Sequence, residues 1–93
     1  VLSAGSPFAF SPPMKLPDLP NGARAVVEGV ASSHPLIDAA ALRRLGELGF
    51  LEGEPLTVLR RGPGGVEPIA VQIGDTQFAL RMLEAQCIEV RPV

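Results

Sequence analysis

Tryptophan and tyrosine are absent from this 93-residue chain, which carries one histidine, one cysteine and four phenylalanines. Each scarcity removes a class of function. A groove that reads Pro-x-x-Pro ligands is built from Trp and Tyr, so proline-helix recognition is excluded. Stacking of single-stranded bases fails for the same reason, because Phe50 and Phe78 are the only aromatic residues after residue 13. Cys87 has no second cysteine to pair with, which suits a reducing compartment. With His34 as the single imidazole there is no base-and-orienter set for a Ser or Cys nucleophile, and Ser32 and Ser33 beside it read as helix-start residues. Ten acids against eight bases offer no cluster of Lys and Arg for nucleic acid. No run approaches the roughly 20 apolar residues that cross a bilayer, and no cationic segment followed by an apolar run opens the chain. These exclusions point to a cytoplasmic binding module and away from an enzyme.

Ten glycines and ten prolines punctuate what remains. Residues 1–13, VLSAGSPFAFSPP, show no period of 2 or 3.6 and read as a tail, vector-derived or a bland native arm. The domain, 14–93, opens at Met14. In Ala23 to Val30, Ala25 and Val27 share one face of an extended segment while Arg24 and Glu28 share the other, and Gly29 marks a bulge. Between Pro35 and Leu48 the period changes. Ile37, Ala41, Leu45 and Leu48 form one stripe of an amphipathic helix, with Pro35 in its first turn and Gly49 closing it. Spacing two then returns in Leu56 and Val58, in Ile69, Val71 and Ile73, and in Phe78 and Leu80. After a turn at Leu83-Glu84-Ala85 it returns once more in Ile88 and Val90. The pattern predicts a mainly β, SH3-like five-stranded small barrel with one α-helix inserted between strands one and two. Its core is made of these inward residues.

Little in this frame carries chemistry. Gly62-Pro63-Gly64-Gly65 lacks the Lys-Ser/Thr of a phosphate loop and reads as a hairpin tip, and Glu52 and Glu54 flank a turn glycine as a solvated rim. His34 and Asp38 stand four apart, on one edge of the first helical turn if the helix begins at Pro35. Cys87 alternates with core Ile88 and is expected to point outward. His34, Asp38 and Cys87 are therefore the candidate metal ligands, too few for a closed tetrahedral site. They predict an adventitious or intermolecular divalent-metal site and no required cofactor.

Four segments in order resemble the FeoA family, the small cytoplasmic proteins of bacterial ferrous-iron transport. They are Leu16-x-x-Leu19-x-x-Gly22, the run Leu42-Arg43-Arg44-Leu45-Gly46-Glu47-Leu48-Gly49-Phe50-Leu51-Glu52-Gly53, Pro68-Ile69, and Ala79-Leu80-Arg81. The resemblance spans residues 14–93, and its most specific piece is RL-x-x-LG-x-x-x-G. The family joins strands two and three by a shorter Pro-x-Gly loop than Gly62 to Glu67 here. The resemblance implies an SH3-like accessory protein that acts with FeoB, the membrane iron permease with a cytoplasmic GTP-binding domain, and so meets a membrane only through that partner. A similar domain also closes diphtheria-toxin-repressor-type regulators, which leaves an SH3-like module of a metal-responsive transcription regulator as the alternative.

Outward residues in or near these stretches that lack a core role are the candidate partner-binding set: Arg43, Arg44, Arg61 and Arg81, with Phe50 and Leu51. A planar guanidinium clasps carboxylates with little lost freedom per bond, and an apolar anchor beside it is usual hot-spot anatomy. For the tail, deletion of residues 1–13 should leave the melting temperature within a few degrees in a thermal scan, since nothing periodic ties them to a core. A large drop would show that Phe8 and Phe10 dock onto the domain.

Overall fold

Apolar side chains at spacing two share one face only when the backbone between them is extended. In the computed structural model, which describes residues 14–93, every such segment enters one antiparallel sheet. The tail at residues 1–13 lies outside the described residues. The strands are β1 (Met14–Lys15), β2 (Arg24–Val30), β3 (Pro55–Arg61), β4 (Ile69–Ile73), β5 (Thr76–Leu80) and β6 (Ile88–Pro92), in spatial order β1-β6-β2-β3-β4-β5. Six strands stand where five were expected. The extra one, β1, pairs Met14 with Val90 and Lys15 with Glu89, and two residues are too short to show a period. Helix α1 (Ala39–Leu48) lies between β2 and β3. A second short helix, α2 (Met82–Gln86), replaces the turn expected there, its first turn closed by the Arg81 N–H donating to Glu84 Oε1 at 2.8 Å. The bulge read at Gly29 is present: the β2–β6 register shifts between Val27 and Gly29.

The core follows the alternation of β2, β3, β4 and β6, which buries Ala25, Val27, Leu56, Val58, Ile69, Val71, Ile73, Ile88 and Val90. The helical stripe is rotated from the expected one. Asp38 caps α1, its Oδ1 accepting the Ala41 N–H at 2.8 Å, so the helix begins four residues after Pro35, and its buried residues are Leu42 and Leu45. Ala41 is consequently exposed and Leu48 is 42% exposed, although both were expected in the stripe. Phe78, expected in the core, is half-buried, its ring 5.3 Å from that of Phe50.

Two glycines make the corner after α1. Gly49 (φ 126°) closes the helix and Gly53 (φ 90°) donates its N–H to the Val27 carbonyl at 2.8 Å, both in a region where a Cβ is strained.

The other end of the interior is plugged by Leu16 and Leu19, from a 3-10 turn at Leu16–Asp18 and the residue after it. That turn is held from a distance. Arg61 at the end of β3 donates from Nη2 to the carbonyls of Pro17 (2.9 Å) and Leu19 (2.7 Å), and from Nη1 to Asn21 Oδ1 (2.7 Å). Arg61 is thus a structural clamp, which corrects its assignment to the partner surface.

Leu45→Ala should cost about 2–5 kcal/mol in denaturant unfolding by opening a cavity under α1. Arg61→Ala should cost about 1–3 kcal/mol by the same measurement, because a charged donor to three acceptors is lost. Arg43→Ala, on the exposed face of α1, should stay within about 0.5 kcal/mol of the parent. Equal, small effects of Arg61→Ala and Arg43→Ala would contradict the clamp.

Candidate docking surface

Helix α1 stands proud of the sheet and leaves a groove on each side. The first groove runs between α1 and the end of β2 and is lined by Val30, Leu42, Arg43, Gly46, Leu51 and Glu52, among others. Gly46 adds no side chain to its wall, where a Cβ would stand 3.9 Å from Leu51 Cδ2. Leu51 is 56% exposed at its mouth, and Arg43 projects from α1 into the same space. The second groove lies between the start of α1 and α2 and is lined by Leu36, Asp38, Ala41, Arg81, Leu83 and Glu84, among others. Leu36, in the loop before α1, is 71% exposed there.

This geometry separates the residues expected to form one surface. Arg43 and Leu51 come together in the first groove, Arg81 belongs to the second, and Arg44 is exposed on α1 lining neither. Phe50, expected outward, is in the core. After Gly49 reverses the chain the backbone alternates, and the first side chain turns inward onto Phe78 while Leu51 turns outward. Leu36 and Leu83 carry much of the exposed apolar surface of the second groove. The sequence hinted at them only in that neither belongs to a buried stripe.

The candidate metal ligands are also apart in their roles. His34 precedes α1 instead of lying on its first turn, and its Nδ1 accepts the Leu36 N–H at 3.0 Å. The neutral ring therefore carries its proton on Nε2, whereas a metal at Nε2 favours the opposite tautomer with Nδ1–H donating. Asp38 has one carboxylate oxygen engaged in the helix cap. Cys87 is buried, contrary to the expected outward direction, because the last turn of α2 sets its orientation before the β6 alternation begins. Its thiol donates to the Leu83 carbonyl at 3.3 Å. Burial pushes its pKa up, Glu84 adds to the rise and Lys15 opposes it, so the thiol stays protonated at neutral pH. Among the described residues, no three His, Cys, Asp or Glu side chains gather as metal ligands, and no polar side chain is buried. The arrangement can grip a protein surface, with an apolar anchor and a guanidinium side by side.

A family model of the FeoA domain matches residues 14–92. FeoA of Stenotrophomonas maltophilia, solved in complex with zinc and described as a prokaryotic SH3 domain protein, is 47% identical with a TM-score of 0.73, over 83% of this chain and 88% of that one. FeoA of Chlorobium tepidum is 40% identical with a TM-score of 0.72, over 86% of this chain and 70% of that one. A manganese-dependent transcriptional repressor in complex with manganese has a TM-score of 0.73 at 24% identity, covering 89% of this chain and 38% of its own. That likeness concerns the fold alone. No curated protein sequence matches the chain. With its family-model match, its sequence identity to solved relatives and its SH3-like antiparallel sheet, the chain belongs to the FeoA family.

Proposed function

We propose that this chain is a cytoplasmic accessory and regulatory protein of ferrous-iron uptake that docks onto the GTP-binding cytoplasmic domain of a FeoB-type permease. The pairing of Arg43 with the exposed Leu51 in one groove carries the reading, because neither side chain has a packing role and together they form an anchor of hot-spot type. The family supports the iron-transport context, and the Stenotrophomonas relative is described as a candidate ferrous iron transport activating factor. Among the described residues no helix is long and apolar enough to cross a membrane. In this reading contact with the bilayer runs through the partner. The chain performs no catalysis and binds no nucleic acid in this account. Its effect on the permease is exerted by binding, with Arg43 clasping a carboxylate, Leu51 filling an apolar recess and Arg44 at the rim.

The fold shared with the manganese-dependent repressor supports a second reading, an SH3-like module of a metal-responsive transcription regulator. The two readings part on what the isolated chain captures.

Arg43→Glu combined with Leu51→Asp should leave the melting temperature close to the parent's and weaken capture of the permease's GTP-binding domain by about tenfold or more in a titration. Undiminished binding by the folded double variant would place the surface elsewhere. For metal, calorimetric titration of the isolated chain with Zn²⁺ should show only weak binding, because His34 would give up its Nδ1 hydrogen bond and Cys87 is buried as a thiol. Submicromolar one-to-one binding by the monomer would refute this.

A further inference from the structure

The outer edge of β5 lies outside the groove of Arg43 and Leu51 and has no assigned role. β5 ends the sheet order, and its hairpin with β4 turns through Gly74 and Asp75 with Ile73 opposite Thr76. The pair flanking a two-residue turn is hydrogen-bonded. Alternation then aims the backbone groups of Thr76, Phe78 and Leu80 at β4, and those of Gln77 and Ala79 away from it. Both Gln77 and Ala79 are exposed, and their outward N–H and C=O groups have no hydrogen-bond partner among the described residues. Edges that stay single are usually blunted by charge, proline or a bulge, and Thr76–Leu80 has none of these. The opposite edge, β1, is only two residues long and carries Lys15.

We propose that β5 is a self-association edge, through which two copies of this chain pair antiparallel about a two-fold axis at Phe78. Gln77 of each copy then faces Ala79 of the other, so that every outward N–H meets an outward C=O. The register is selected by charge. It ends with Thr76 of each copy opposite Leu80 of the other, which brings the exposed Asp75 in the turn just before the strand next to the exposed Arg81 just after it, and Arg81 is still extended (φ −73°, ψ 158°). Slipping the pairing by two residues in chain sum loses this match. Gln77 opposite Gln77 would set Asp75 against Ala79, and Ala79 opposite Ala79 would set Arg81 against Gln77. At the axis the two Phe78 rings meet at a non-hydrogen-bonded position, where side chains approach most closely, which completes the cover over a ring that Phe50 only half buries.

Sedimentation of the full-length isolated chain from micromolar to sub-millimolar concentration tests the proposal. A reversible dimer is expected. Ala79→Pro deletes the outward N–H without touching the β4 ladder and should weaken the dimer by about tenfold or more while the melting temperature stays near the parent's. Asp75→Arg alone should also weaken it, and Asp75→Arg with Arg81→Asp should restore it. If Ala79→Pro fails to fold, the charge-swap series decides. A chain that stays monomeric throughout, a dimer untouched by Ala79→Pro in folded protein, or a charge swap without rescue overturns the proposal. No permease is present, so its failure leaves the docking reading standing, and the reverse holds as well.

Discussion

Water must be kept off one curved interior, and the chain has few residues with which to do it. The inward faces of β2, β3, β4 and β6 meet through Val27, Val58, Val71 and Val90, none more than 1% exposed. A domain this small buries a modest fraction of its surface, so each end of the interior needs its own plug. Leu42 and Leu45 of α1 close one end, and Leu16 and Leu19 close the other. The second plug comes from a short turn closed by the Leu19 N–H on the Leu16 carbonyl and the Lys15 N–H on Asp18 Oδ2, and the Arg61 guanidinium ties it to β3 through the carbonyls of Pro17 and Leu19. The Gly49 and Gly53 corner sets where β3 begins after α1, and so the register in which Ala25 faces Leu56.

The same arrangement decides which residues remain for function. With Phe50 drawn into the core and Arg61 holding the N-terminal turn, two of the six residues suggested for a partner surface become parts of the scaffold. What stays outside is organised by α1, which parts Arg43 and Leu51 from Arg81, Leu36 and Leu83. The two faces suit different occupants. One is a shallow groove with an apolar anchor, and the other adjoins a strand edge whose backbone is unpaired among the described residues.

Much of this architecture was legible in the sequence where the cause is local. Period-two alternation marks β2 through β6, Gly29 marks the bulge, and Gly49 and Gly53 mark the corner because few other residues fit there. Features set by distant partners were not legible. β1 is too short to alternate, and it exists because β6 offers an edge to it. Asp38 displaced the start of α1, and packing against the sheet buried Leu42 in place of Ala41 and Leu48. Cys87 follows the parity of α2 instead of that of β6, and Arg61 shows its role only when residues about forty positions apart are brought together. The family itself was legible from the run Leu42 to Gly53, because Gly49 and Gly53 answer to the corner and Leu42 and Leu45 to the plug, while its surface residues are the ones proposed to meet a partner.

The central claim is that Arg43 and Leu51 face that partner. Titrating isotope-labelled chain with the permease's GTP-binding domain, and following backbone amide shifts by NMR, tests it most directly. The account predicts perturbations concentrated at Arg43, Gly46, Leu51 and Glu52, with Arg61 and the N-terminal turn unmoved. Perturbations absent from this groove, or confined to the opposite side of α1, would contradict it.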